Sequence, residues 1–241
     1  GHGYPWLFES EASQQLFCDI WKTIAQRYKD EPVILGYELM NEPIATMFTK
    51  EVQAKLNAKL EDVYKRATKA IREVDQNHII LLGGSQWNSN FEPFSDWKFD
   101  DKIMYTCHRY GGAPTKEAIQ SYIDFRDKTQ LPMYMGEIGH NTDKWQADFC
   151  ETMRKANIGY TFWPYKKIEN SCMMGIRKPA EWDCIIVKFA EADRSSFDGI
   201  RKARPDQEKG KKLLMEFVEN AKQKNCVPQT GYIQSMGLKT E

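Results

Sequence analysis

The chain has 241 residues, with 34 lysines and arginines balanced by 34 aspartates and glutamates, and 41% of its residues are hydrophobic. This length and composition predict a globular protein with a sizeable buried core. The formal net charge of zero, without long runs of like charge, argues against the basic surface that nucleic acid or an anionic membrane would require, so we expect a neutral substrate. No stretch approaches the roughly 20 apolar residues of a membrane span.

Short apolar runs alternate with amphipathic helical patterns through most of the chain. In chain order they predict a helix at 13–28, a strand at 33–40, a helix at 50–74, strands at 78–84 and 103–110, a helix at 115–128, a strand at 132–139, a helix at 143–156, a strand at 158–164 and a helix at 207–223. Residues 165–206 are predicted to form a long loop after the last strand, and residues 226–241 a polar tail.

Strands that alternate with helices at this spacing pair in parallel, so the predicted fold class is α/β. No glycine-rich turn of the G-x-G-x-x-G type occurs in the sequence, although such a turn is usual in doubly wound sheets that bind dinucleotides. The pattern therefore favours a (β/α)8 barrel, in which functional residues stand at the ends of several strands.

The six cysteines show no metal-finger spacing, so no zinc site is predicted from them. Cys18 and Cys150 fall in helical patterns and Cys107 in an apolar strand, where we expect buried free thiols. Cys172 and Cys184 flank one loop and could pair in an exported protein.

Polar and aromatic side chains stand where the predicted strands end, at Asn41, Glu42, Trp87, His108, Tyr110, Glu137 and Trp163. Barrel enzymes have their active sites at the C-terminal ends of the barrel strands. Burying a carboxylate at the end of an apolar strand costs free energy, so its presence there indicates a function. Two carboxylates that face one cavity are what glycosidic bond hydrolysis requires. Tryptophan and tyrosine rings also stack on the flat faces of sugars, so we expect Trp87 and Trp163 to form walls of sugar subsites.

In this order the motifs resemble glycoside hydrolase family 5, a family of retaining (β/α)8 hydrolases that includes many cellulases. Asn41-Glu42-Pro43 is similar to the family's Asn-Glu-Pro after barrel strand 4, and His108-Arg109-Tyr110 to the His-x-Tyr of strand 6. Gly136-Glu137-Ile138-Gly139 is similar to the Gly-Glu-[Phe/Ile]-Gly of strand 7, and Phe162-Trp163 to the tryptophan of strand 8.

The resemblance implies a role for each of these residues. Glu42 would be the acid/base and Glu137 the nucleophile, held by Tyr110, while Asn41 would bind the substrate 2-hydroxyl. His108 and Trp163 would line the sugar site next to the cleaved bond. This chemistry requires no metal and no organic cofactor.

The resemblance also implies that residues 33–40 form barrel strand 4, although only residues 1–32 precede them. Three strands with their helices need far more chain. We therefore expect residues 1–241 to be the C-terminal two thirds of one catalytic barrel, providing strands 4 to 8. An N-terminal segment with strands 1 to 3 would be its partner, and the complete protein would be a monomer.

Within the resemblance, the expected activity is that of an endo-β-1,4-glucanase, with a β-linked polysaccharide or oligosaccharide as substrate. β-Mannanase, exo-β-1,3-glucanase and glucosyl-lipid hydrolase activities are alternatives that use the same catalytic pair. A noncatalytic, carbohydrate-binding barrel fragment is the alternative from another class of protein. A metal-dependent hydrolase is disfavoured, because the four histidines include no His-x-His at a strand end. A polymeric substrate implies a secreted or periplasmic protein.

Overall fold

The computed structural model describes residues 4–168 and 170–239. The chain divides into two compact units. The first comprises residues up to 138 together with 148–162, and the second comprises 139–147 together with the residues from 163 onwards. Among the described residues, no helix combines the length and the apolar character needed to cross a bilayer.

Helices and strands alternate up to residue 163. In chain order they are α1 (Glu11–Tyr28), β1 (Gly36–Glu38), α2 (Lys50–Arg72), β2 (Ile79–Gly83), the short and largely left-handed turn α3 (Ser85–Asn88), β3 (Ile103–His108), α4 (Gln120–Thr129), β4 (Met133–Gly139), α5 (Asp143–Lys155) and β5 (Gly159–Trp163). The five strands form one sheet in the order β1-β2-β3-β4-β5, and β1 to β4 pair in parallel. This is the predicted α/β class, in the form of a partial (β/α)8 barrel.

The first strand is shorter than its apolar run suggests. β1 covers Gly36–Glu38 of the predicted 33–40, and it pairs with β2 alone among the described strands. Val33 is 88% exposed and Leu35 57% exposed. Their apolar side chains therefore have no neighbouring strand to cover them in this part of the chain.

Helix α2 packs one apolar face into the core of the first unit. Leu56, Leu60 and Tyr64 are fully buried, and their spacing of four residues places them on one side of the helix. The Tyr64 hydroxyl donates a hydrogen bond of 2.9 Å to the carbonyl of Gly83. Helix α2 thereby fixes the end of β2, from which a loop leads towards the candidate site.

A buried polar triad joins β1 to the turn before β2. Asp75 is 1% exposed, and its Oδ2 accepts a hydrogen bond of 2.7 Å from the Tyr37 hydroxyl and lies 2.6 Å from Nδ1 of His78. Burial alone would raise the pKa of Asp75, but the Tyr37 hydroxyl and the backbone N–H groups of Asn77 and His78 outweigh it and lower the pKa to about 2.

We expect Asp75→Asn to lower the free energy of unfolding by about 2 kcal/mol or more at pH 7, because the buried donors lose their charged acceptor. A lowered folded-state pKa stabilises the protein above the unfolded pKa near 4, and this contribution disappears as the pH falls through about 2. Urea unfolding from pH 7 to pH 2 should show the two proteins converging in acid. Asp101→Asn, at an exposed position, serves as the matched control, and equal stabilities at pH 7 would contradict the prediction.

The second unit is built around a small sheet. Strands β6 (Lys166–Ile168), β7 (Met174–Ile176) and β8 (Val227–Pro228) form this sheet, and a π-helical turn at Asp183–Val187 leads into α6 (Lys188–Ala190), followed by α7 (Phe197–Ala203), α8 (Gln207–Asn220) and α9 (Thr230–Ser235). β6 pairs with β7 in parallel and β7 with β8 antiparallel.

Two sequence-based expectations for this region are wrong. Residues 165–206 are not one loop but contain two strands and short helices, and residues 226–239 contain β8 and α9. Tyr232, Ile233 and Met236 of this supposed tail are buried. Such short elements carry too few apolar residues for a periodic signal, and they form only because nonlocal contacts cover them.

The cysteine predictions have mixed outcomes. Cys18, Cys107 and Cys150 are buried free thiols, as expected. Cys172 is also buried while Cys184 is exposed, and no disulfide joins them, so the pairing that the sequence left open does not form in this structure.

Candidate active site

The candidate site lies in the first unit, at the carboxyl ends of β1, β3 and β4. The pairing of β3 with β4 is regular up to Cys107 opposite Met135, but the next pair is His108 opposite Glu137. The strand register therefore shifts at Gly136, as in a β-bulge. A Cβ atom on Gly136 would lie 2.4 Å from Oγ1 of Thr106 and 3.1 Å from Nε2 of His108, so this position requires a glycine.

Two carboxylates and one imidazole meet at this edge of the sheet. One carboxylate oxygen of Glu42, one of Glu137 and one ring nitrogen of His108 all lie within 4.8 Å of one another. Nδ1 of His108 is 3.0 Å from Oε1 of Glu42 and 3.4 Å from Oε2 of Glu137. Retaining glycosidases hold their carboxyl groups about 5–5.5 Å apart, and inverting enzymes about 6.5–9.5 Å. The spacing here fits the retaining geometry.

The two carboxylates are accessible, whereas the histidine between them is not. The side chain of Glu42 is 29% exposed and that of Glu137 21%, compared with 2% for His108. The Tyr110 hydroxyl donates a hydrogen bond to Oε2 of Glu137. A ligand can therefore reach both carboxylates while Tyr110 and His108 hold them from the protein side.

Glu42 has an unusual backbone conformation. Its φ angle of 47° lies in the left-handed region, which costs a residue other than glycine about 1–3 kcal/mol. Its N–H donates a hydrogen bond of 3.2 Å to Oδ1 of Asn88. Strain of this kind concentrates at functional sites, where surrounding contacts hold a side chain in one place.

Glu38 is a third carboxylate at the site, and the sequence analysis did not identify it. It is the last residue of β1, and its Oε1 is buried without a hydrogen-bond partner, 3.9 Å from Nε2 of His108. Burial raises the pKa of Glu38, and nearby Glu137 adds to this effect. The available signal was an acidic residue inside an apolar run, which marks an inward-facing carboxylate.

The structure brings together four of the predicted residues, Glu42, His108, Tyr110 and Glu137. Asn41 is exposed beside Glu42. Trp87 is partly buried in α3, and its backbone N–H donates a hydrogen bond of 3.0 Å to the carbonyl of Ile44. Trp163 ends β5, is 53% exposed and belongs to the second unit, so its place next to the carboxylates remains a prediction.

Asn88 is the second residue that the sequence analysis missed. Its side chain is fully buried and contacts both Glu42 and His108. It lies beyond the predicted end of its strand, and its orientation depends on a left-handed backbone that no sequence pattern signals.

Glu42, His108 and Glu137 together offer three ligand atoms that could bind a metal ion. Oε2 of Glu137, however, already accepts a hydrogen bond from the Tyr110 hydroxyl. Nδ1 of His108 also already lies within hydrogen-bond distance of Glu42. The arrangement fits acid/base and nucleophilic chemistry by two carboxylates better than it fits a metal centre.

Comparisons with known proteins identify the family to which the chain is similar. Residues 5–168 match the model of the cellulase family, glycosyl hydrolase family 5. Endoglucanase C of Acetivibrio thermocellus is 24% identical over 241 residues, which cover 74% of this chain and 67% of that protein. An endoglycoceramidase of Hydra vulgaris is 37% identical over 190 residues, which cover 71% of this chain and 36% of that protein.

Among solved structures, endoglucanase Cel5A of Thermotoga maritima matches with a TM-score of 0.59 at 23% identity, over 71% of this chain and 65% of that one. An endogalactoceramidase matches with a TM-score of 0.57 at 20% identity, over 66% of this chain and 39% of that one. At these identities the structures show a shared fold. The chain spans about two thirds of the length of endoglucanase C and of endoglucanase Cel5A.

Proposed function

Because the chain belongs to glycosyl hydrolase family 5, we propose that the complete protein hydrolyses β-glycosidic bonds with retention of anomeric configuration. The observation that carries this proposal is the close approach of Glu42 and Glu137, with His108 between them. The short separation leaves no room for the water that an inverting enzyme places opposite its acid.

In the proposed mechanism, Glu137 is the nucleophile and Glu42 the general acid. The hydrogen bond from Tyr110 holds the Glu137 carboxylate aimed at the anomeric carbon. As the C–O bond breaks, Glu42 protonates the departing oxygen and Glu137 forms the glycosyl-enzyme. Glu42, now ionised, removes a proton from water, which attacks the anomeric carbon and releases Glu137.

We propose a β-1,4-glucan cleaved internally as the substrate, with Asn41, Trp87 and Trp163 in contact with the sugars. The support is that several relatives are named endoglucanases. A second candidate is the bond between a glycan and a lipid. It is supported by the higher identity, 37% and 35%, of two relatives named endoglycoceramidases.

Assays of the complete protein on soluble β-1,4-glucan, β-mannan, β-1,3-glucan and a glycosylceramide separate these substrates. We expect new reducing ends from β-1,4-glucan, or released oligosaccharide from the glycolipid, and ¹H NMR should show a β-anomer as the first product. An α-anomer would contradict the retaining mechanism. Binding of these sugars without turnover would favour a noncatalytic carbohydrate-binding protein.

We also propose that an N-terminal segment with three further strands completes the barrel as a monomer. The support is the apolar surface of the first unit, where Val33, Leu35, Leu16 and Ile20 are 88%, 57%, 59% and 48% exposed. A preceding βα unit would cover these side chains. The intact mass of the purified protein should exceed 28.1 kDa.

A polymeric substrate further implies that the protein acts outside the cytoplasm. Fractionation of the cells that produce it tests this proposal.

A further inference from the structure

The buried side chain of Asn88 connects the two parts of the candidate site. It is fully buried. Its Oδ1 accepts a hydrogen bond of 3.2 Å from the backbone N–H of Glu42, and its Nδ2 lies 3.1 Å from Nε2 of His108. The Asn88 amide therefore contacts both the backbone of Glu42, the proposed acid/base, and the ring of His108, which contacts both carboxylates.

These contacts determine which nitrogen of His108 carries the proton. A backbone N–H can only donate, so the atom of Asn88 that faces Glu42 must be the oxygen. The atom that faces His108 is then the NH2 group, which is also only a donor. Nε2 of His108 must therefore be an unprotonated acceptor, and the neutral ring carries its proton on Nδ1, 3.0 Å from Oε1 of Glu42.

We propose that Asn88 is a positioning residue that holds His108 as the Nδ1–H tautomer, so that the ring donates a hydrogen bond to Glu42. This inference rests on the proposed function for its catalytic meaning. Asn88 acts through Glu42 and His108 and contacts no reacting atom.

Unfavourable backbone angles and a close approach by a neighbouring glycine both accommodate the Asn88 side chain. Gln86, Trp87 and Asn88 all have left-handed φ angles, of 47°, 58° and 57°, and asparagine is among the residues that tolerate this region best. A Cβ atom on Gly83 would lie 2.3 Å from Oδ1 of Asn88, so glycine at that position makes room for the amide.

Glu38 provides the competing arrangement that Asn88 prevents. The acidic groups facing His108 are Glu38 and Glu42 from β1 and the turn after it, and Glu137 from β4. The unpartnered Oε1 of Glu38 lies 3.9 Å from Nε2. Without the Asn88 amide, the neutral ring can instead carry its proton on Nε2, which faces Glu38. Nδ1 is then unprotonated and no longer donates a hydrogen bond to Glu42.

The direct test is ¹⁵N NMR of the histidine side chains in the complete protein, with the His108 signals assigned by their loss in His108→Gln. We expect the wild-type ring to be protonated on Nδ1 alone. In Asn88→Asp, one carboxylate oxygen can still accept the hydrogen bond from the backbone N–H of Glu42. The other oxygen, which replaces the NH2 group, can only accept a hydrogen bond from Nε2 of His108, so Nε2 should become protonated. Asn88→Gly, which tolerates the left-handed backbone, and Gly83→Ala, which displaces the amide, should give the same change.

Kinetics provide a second readout that a purely structural role would not produce. Loss of the amide should lower kcat/KM by about 10- to 100-fold on substrates with poor leaving groups, part of the roughly 10²–10⁴ that a general acid contributes. Dinitrophenyl glycosides should be affected much less, because their leaving group needs little protonation. Asn90→Gly is the matched control in the same loop, since its amide contacts Gln86 and neither Glu42 nor His108.

A wild-type ring protonated on Nε2, or an unchanged protonation pattern in all three variants, would overturn the proposal. Equal losses on good and poor leaving groups would also contradict it. If no glycoside is hydrolysed at all, the proposed function fails, while the NMR result still decides whether Asn88 sets the tautomer.

Discussion

Replacing Glu137 by glutamine should reduce kcat by about four orders of magnitude or more, because an amide cannot form the glycosyl-enzyme. The fold should persist, since glutamine fills the same volume and its oxygen can still accept the hydrogen bond from Tyr110. Initial rates on the best substrate, together with the binding affinity for an oligosaccharide, measure the two effects. Turnover should be lost while binding stays within about a few fold.

Two further experiments test whether Glu137 itself is the nucleophile. A 2-deoxy-2-fluoro glycoside should trap the glycosyl-enzyme on the peptide that contains Glu137. In Glu137→Ala, added azide should restore turnover and give the α-glycosyl azide, because the small anion attacks from the side that Glu137 leaves empty. Glu216→Gln, at an exposed position on α8, is the control. A label on another carboxylate would refute the assignment.

Glu42→Ala should lower kcat by about 10²–10⁴-fold on substrates with poor leaving groups, the range that general acid catalysis contributes. With a dinitrophenyl glycoside, the first step should stay fast, because the leaving group departs without a proton. The second step then lacks its base, so a burst of dinitrophenol followed by slow turnover is expected in stopped-flow measurements.

Azide again distinguishes this role from that of Glu137. In Glu42→Ala it should attack the glycosyl-enzyme on the opposite side of the sugar and give the β-glycosyl azide, which is the opposite anomer to that from Glu137→Ala. Identical azide products from the two variants would show that the two roles are assigned wrongly.

The amino-acid sequence was sufficient for the α/β class, the positions of the five barrel strands and the candidate residues Glu42, His108, Tyr110 and Glu137. These features depend on local signals. A buried parallel strand is an apolar run of a few residues, and polar residues that follow it lie at the edge of the sheet where barrel enzymes act. The roles assigned to these residues remain predictions.

Other features depended on contacts between distant parts of the chain. The register shift at Gly136 places His108 opposite Glu137, and it arises from the packing of two strands rather than from either strand alone. The same holds for β6 to β8 and α9, whose short segments have no periodic pattern. Asn88 is the clearest example: only the left-handed turn after β2 brings its amide between the backbone of Glu42 and the ring of His108. The sequence thus determined which groups could do the chemistry, while tertiary packing decided how they are oriented and protonated, because hydrogen-bond partners distant in sequence determine both.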